Sequence, residues 1–227
     1  MSRIRRALVS VSDPTGLAEL ARALHELGIE LVASSGTGAR IAEAGVPWLP
    51  VEEVTGAPEM LGGRVKTLHP SIHGGILARR DVPEDLARLE ELGIAEIGLV
   101  VVNLYPFRET VAQAGITDAE AIEKIDVGGP AMVRAAAKSH RDVAVVTSPS
   151  RYPEVIAELR ERDGALSDET RRRLAAEAFA MTAGYDAAIA AWFTGDVALP
   201  DEIVMDLHRE RELPYGENPH QAEIAAS

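Results

Sequence analysis

Arg64 and Lys66 flank a single Val65, with Gly62-Gly63 just before them and Thr67-Leu68-His69-Pro70 just after. In an extended segment alternate side chains share a side, so this spacing predicts two cations on one face of a loop. The diglycine lets the backbone approach a ligand closely. Pro70 argues against a helix there. Such a cationic cluster suits an anionic small molecule held in one place. The competing reading is a surface loop with two solvated cations.

Other residues with chemical potential fall at the ends of apolar runs. Ser10, Ser12 and Asp13 follow one run, Ser34-Ser35-Gly36-Thr37 a second, and Asn103 with Tyr105 a third. Hydroxyls and free amides at a helix start hold phosphate well. The same residue types also serve simply as caps. Asp126 precedes Val127, Gly128 and Gly129, and it becomes chemically useful only beside Lys66 or Lys138. Lys138 falls in the last turn of a predicted helix, where a cation complements the dipole. His69 and His73 have a helical metal spacing, but Pro70 interrupts it and no third ligand is apparent, so no metal is expected.

These residues need a scaffold. Residues 7–12 read as a buried strand, and Leu17, Leu20, Ala21, Leu24 and Leu27 then recur at helical spacing up to Gly28. Strands follow at 31–33 and 48–51, with a short helix between them. This β-α-β-α-β order predicts a parallel sheet with helices on both faces. Residues 55–78 read as a long Gly- and Pro-rich loop. A helix over 83–92 leads to the strongest strand, 97–102. Helices over 118–124 and to Lys138, a strand at 143–146, and helices over 153–161 and 168–193 complete the pattern. In an open parallel sheet, ligands bind beyond the carboxyl ends of the strands, where the candidate residues lie.

Composition narrows the partners. The chain has 227 residues and a formal net charge of −13, a balance that repels nucleic acid and anionic membrane. It contains no Cys, which excludes disulfides, thiolate nucleophiles and Cys-type metal sites. Neither a signal peptide nor a membrane span is evident, so a cytoplasmic location is expected. Residues 1–195 are expected to form the main domain and 196–227 a polar linker with a stub.

Six ordered blocks carry a resemblance along the chain. They are Ser10-Val11-Ser12-Asp13, Ser34-x-Gly36-Thr37, the run from Met60 to Pro70, Asn103-Leu104-Tyr105-Pro106-Phe107, Asp126-x-Gly128-Gly129 and Arg134-Ala135-Ala136-Ala137-Lys138. Together they resemble the inosine monophosphate (IMP) cyclohydrolase domain of the bifunctional purine biosynthesis family. Tyr215 to Gln221 resembles the opening of that family's formyltransferase domain. The resemblance implies a methylglyoxal-synthase-like α/β fold, a Rossmann-like parallel sheet sandwiched between helices. It implies closure of 5-formamidoimidazole-4-carboxamide ribonucleotide (FAICAR) to IMP, no metal or other cofactor, and a homodimer whose full-length chain carries the formyltransferase domain. It further implies that Ser12, Asp13, Ser34, Ser35, Gly36, Thr37, Arg64, Val65, Thr67, Asn103, Val127, Gly128 and Gly129 contact the nucleotide. Lys66 and Tyr105 would face a developing oxyanion, and Asp126 and Lys138 would transfer protons, with acid and base roles undivided. Pro14 departs from the Lys common in the family, and Ser35 from a frequent Gly. Two rivals share the fold: a methylglyoxal synthase, and a non-catalytic nucleotide-sensing module.

Overall fold

The computed structural model describes residues 3–195, 203–204, 206–212 and 222–226. β1 (Arg6–Val11) turns through Gly16, whose φ of 70° favours glycine, into α1 (Leu17–Glu26). β2 (Glu30–Ala33), α2 (Ser35–Glu43), β3 (Leu49–Pro50) and α3 (Val51–Thr55) follow. After a 3₁₀ turn at Leu61–Gly63 come α4 (Pro70–Leu77), α5 (Pro83–Glu91) and β4 (Leu99–Asn103). Then come α6 (Phe107–Val111), α7 (Asp118–Glu123), α8 (Gly128–Lys138) and β5 (Ala144–Val146). α9 (Tyr152–Glu161), α10 (Asp168–Thr194), β6 (Leu207–Glu212) and β7 (Ala222–Ala226) end the order.

The first five strands form one parallel sheet in the order β3-β2-β1-β4-β5. Strand periodicity sorts its side chains between two faces. Ala7, Val9, Leu31, Ala33, Leu99, Val101, Ala144 and Val146 pack with Leu17, Leu20 and Leu24 of α1 and Val155, Ile156 and Leu159 of α9. The alternate residues Leu8, Val32, Val100 and Val145 are fully buried as well. α8 packs on β4 and β5 and against α4. A sheet buried on both faces needs continuous apolar strands, and the 97–102 run supplies the most complete one. Each fully buried Leu or Ile stabilises the fold by about 1.5–3 kcal/mol relative to exposure. The expected α/β class, a parallel sheet between helices, therefore holds.

The chain resolves into two compact units. One comprises the residues through Tyr105 together with Asp126–Ala180, and the other Pro106–Ile125 together with the chain from Met181 on. Within the second unit, the buried Phe107 ring stands edge-on to Tyr185 and Trp192, with centroids 6.2 and 6.0 Å away. Thr117 and Glu120 cap α7 reciprocally. Each unit draws on separate stretches of the chain.

Two local expectations need correction. Pro70 starts α4 instead of preventing a helix, because the first helical position needs no amide hydrogen. Arg64 has helical backbone angles (φ −63°, ψ −28°), so Arg64 and Lys66 do not alternate along an extended strand. The loop there is a tight turn closed by the Met60–Val65 bridge, with Leu61, Gly62 and Gly63 all at positive φ. Among the described residues of the polar tail, β6 and β7 pair antiparallel. The resembling segment 215–221 lies outside the described residues.

Candidate active site

At the carboxyl ends of β1 and β4, Asn103 fastens two loops together. Its Oδ1 accepts from the Ser12 amide (2.6 Å), the Ser12 hydroxyl (2.9 Å) and the Asp13 amide (2.9 Å). Its Nδ2 donates to the Asp13 carbonyl at 2.9 Å. The Ser12 hydroxyl also lies 2.8 Å from the Leu104 carbonyl. Asn103 is thus a brace for the β1–α1 turn, and this work occupies most of its amide. Asp13 accepts from the Thr15 hydroxyl and amide, bonds that hold its carboxyl below its usual range.

The neighbouring turn is tied to the same edge. The Thr37 hydroxyl accepts from the Val11 amide at 3.0 Å, and the Ser34 hydroxyl lies 3.2 Å from both Ser10 Oγ and Thr37 Oγ1. Ser34 is the N-cap of α2, so Ser35, Gly36 and Thr37 form its first turn. Amides of a first helical turn have no partner inside the helix and favour an anion.

Lys66 reaches this helix start. Its ammonium donates to Ser35 Oγ at 3.0 Å and to Glu59 Oε2 at 2.6 Å, and it pairs with Glu52 Oε1 at 3.2 Å. Burial alone would lower its pKa, but the bonds to Glu59 and Glu52 outweigh that and raise it. Lys66 is therefore a fixed cation at neutral pH. Arg64 is exposed on the same loop, and Val65 is half-buried.

The next residue joins a third segment. Thr67 is buried, and a Cβ placed on Gly128 would meet its Oγ1 at 2.9 Å. Gly128 and Gly129 open α8, and Asp126 Oδ1 accepts from the Gly129 amide at 2.9 Å. A Cβ on Gly129 would meet Asp126 Oδ2 at 2.2 Å and Leu104 Cδ2 at 2.6 Å. The diglycine is therefore a packing requirement that brings α8 against the end of β4 and the Thr67 loop. Val127 is exposed beside it, as is Tyr105 just beyond β4.

Most of the residues expected from sequence are thus brought to one edge, within one compact unit. Lys138 is not. It is the last residue of α8, and 11 residues at 1.5 Å each put it on the order of 15 Å from the helix start. Asp126 lies just before α8 and Lys138 is its last residue, so the length of the helix separates the two along its axis. Sequence reasoning also missed Glu52 and Glu59; nothing local marks them, since their relation to Lys66 comes from the fold of the loop.

His69 caps α4, its Nδ1 accepting from the Ser71 amide at 3.2 Å. Burial pushes the His73 pKa down. Among the described residues no group of three His, Cys, Asp or Glu side chains is placed to hold a metal, and no helix is long and apolar enough to cross a membrane. A cavity of about 620 Å³ opens at the opposite, amino-terminal edge, between Arg5, Arg6, Glu30, Arg80 and Glu96. Two of its cations are engaged within the wall, Arg6 with Glu30 and Arg80 with Glu96.

Comparison with known proteins completes the description. Residues 16–131 match the MGS-like domain family, and residues 136–227 match the AICARFT/IMPCHase bienzyme family. The chain is 50% identical to the bifunctional purine biosynthesis protein PurH of Neisseria meningitidis, over 97% of this chain and 44% of the relative. It is 54% identical to PurH of Desulfitobacterium hafniense, over 96% of this chain and 43% of the relative. The chain thus spans less than half the length of these relatives. A crystal structure of ForH superposes with a TM-score of 0.73 at 37% identity, covering 84% of this chain and 99% of that one.

Proposed function

The chain belongs to the MGS-like domain family, in its bifunctional purine biosynthesis branch, and from that premise we propose that it is an IMP cyclohydrolase. The reaction is the dehydrative closure of FAICAR to IMP. The observation that carries the reading is the convergence of two helix starts and one cationic loop on the carboxyl ends of β1, β2 and β4.

The first turn of α2, with Lys66 beside it, suits the 5′-phosphate or another oxygen anion of the nucleotide. Arg64 and the Ser12–Asp13 turn border the same edge. In the reaction the carboxamide nitrogen attacks the formyl carbon, and the formyl oxygen gains negative charge before leaving as water. The two groups belong to one molecule, so the protein must hold a reactive rotamer, stabilise that charge and move protons. Tyr105 is suited to donate toward the formyl oxygen. Asp126, an acceptor already oriented by the Gly129 amide, is suited to take the carboxamide proton. The family resemblance also assigns proton transfer to Lys138, which stands at the far end of α8. The proposal includes a cytoplasmic setting, no cofactor, a homodimer, and a formyltransferase domain in the full-length protein.

The test is ring closure followed by ultraviolet absorbance on supplied FAICAR. Lys66→Met is expected to lower kcat/KM by on the order of a hundredfold. Activity on a triose phosphate instead of FAICAR would move the assignment to a methylglyoxal synthase. Nucleotide binding without turnover would move it to a sensing module.

A further inference from the structure

An ammonium has three hydrogens to donate. Lys66 has three acceptors within its own chain: Glu52 Oε1 at 3.2 Å, Glu59 Oε2 at 2.6 Å and Ser35 Oγ at 3.0 Å. Its side chain is only 15% exposed, so spare donor capacity toward solvent is small. Lys66 therefore reaches a substrate oxygen by exchanging a partner, since a fourth would exceed its donors.

The two carboxylates are held unequally. Glu52 grows from α3, whose first residue, Val51, is fully buried. A bond from its own backbone amide is the main cause that keeps its carboxyl below the usual range; burial opposes this, and the Lys66 and Ser35 contacts add to it. Glu59 stands on the loop between α3 and α4, and its side chain is 40% exposed against 28% for Glu52. The shortest contact to Lys66 thus comes from the less anchored acid.

We infer that Glu52 is a positioning residue that fixes the Lys66 ammonium beside the start of α2, and that Glu59 is an exchangeable counter-ion, released when the nucleotide's anionic group arrives. The inference rests on the nucleotide reading above and adds two residues to it. Glu59 then competes with substrate for the same cation. Glu52 and Ser35 keep that cation in place after the exchange.

The experiment is calorimetric titration of the full chain with IMP, paired with FAICAR kinetics. Removing a partly exposed competing ion pair contributes less than about 1 kcal/mol, so Glu59→Gln is expected to tighten IMP roughly two- to fivefold and to lower KM in parallel. Glu52→Gln is expected to lower kcat about tenfold while moving KM less, because the cation loses its fixed direction. In a Lys66→Met background most of the Glu59→Gln gain is expected to vanish, which a merely structural role would not produce. Glu59→Asp draws the charge back by one methylene and is expected to give part of the gain, and it serves if the Gln variant fails to fold. Unchanged or weaker IMP affinity in the Glu59 variants overturns the inference, as does an undiminished gain without Lys66. If the unsubstituted chain neither binds IMP nor closes FAICAR, the nucleotide reading falls and this inference with it. If it does both and the Glu59 variants are inert, only the counter-ion falls.

Discussion

Asn103 shows how a residue that looks like a substrate contact is also an architectural brace. Three hydrogen bonds accepted and one donated tie β4 to the β1–α1 turn. Asn103→Ala leaves two amides and a hydroxyl without this acceptor. It is expected to destabilise the chain by about 1–3 kcal/mol in urea unfolding and to depress activity further through the loosened turn. Gly129→Ala tests the junction of α8 with β4. A Cβ only 2.2 Å from the Asp126 carboxylate forces that group to move, so kcat is expected to fall at least about tenfold, with a lower melting temperature. Pro14 tests the departure from the family pattern. It is exposed, and its carbonyl accepts from the Leu17 amide at 3.0 Å, a bond that Lys also permits. Pro14→Lys adds a cation to the turn and is expected to tighten IMP several-fold in calorimetry with little change in kcat; unchanged affinity would show that position 14 does not reach the phosphate.

At the scale of elements, two helix starts do the work that single side chains suggested in sequence. α2 and α8 both begin at the carboxyl edge, and each presents first-turn amides without an intrahelical partner to the same region. Lys66 and Asp126 supply opposite charges at those two starts. The junction of α9 with α10 gives a separate pH prediction, for stability. Burial works against ionisation of Glu158, but bonds from the Thr170 hydroxyl (2.6 Å) and the Ser167 amide (2.7 Å) outweigh it and hold its carboxyl below the usual range. A lowered folded-state pKa contributes stability that is present above the unfolded value and is lost as pH falls through the folded one. Glu158→Gln is therefore expected to be less stable than the parent at neutral pH in urea unfolding. The difference should shrink as pH falls from the usual glutamate range through the lowered folded-state value. A difference that stays constant across that range would remove the carboxylate as its cause.

At the scale of the molecule, the candidate site belongs to one compact unit made of the residues through Tyr105 and of Asp126–Ala180. The second unit draws on Pro106–Ile125 and on the chain from Met181 on, and it has its own aromatic cluster around Phe107. The chain spans 44% of the Neisseria meningitidis relative. Ring closure is the activity proposed for this polypeptide, and the FAICAR assay above tests it. Sedimentation of the same sample reports whether two copies associate.

The sequence by itself determined the class of the fold and singled out most of the residues that the structure brings to the candidate site. Apolar runs of strand length alternating with helical periodicity leave few arrangements other than a parallel sheet between helices, because each element must bury its apolar face. The motif blocks around Thr37, Lys66, Asn103 and Asp126 were legible for a similar reason: small and polar residues at strand ends have few uses. Pro70 was misread because the same proline that breaks a helix interior also suits a helix start, and local sequence does not say which end is present. Only the tertiary structure decided who meets whom. It turned Arg64 out of the extended line and brought Glu52 and Glu59 onto Lys66. It also sent Lys138 to the far end of a rigid helix from Asp126. Those outcomes depend on the path of a loop and the length of a helix in space, and spacing along the chain encodes neither.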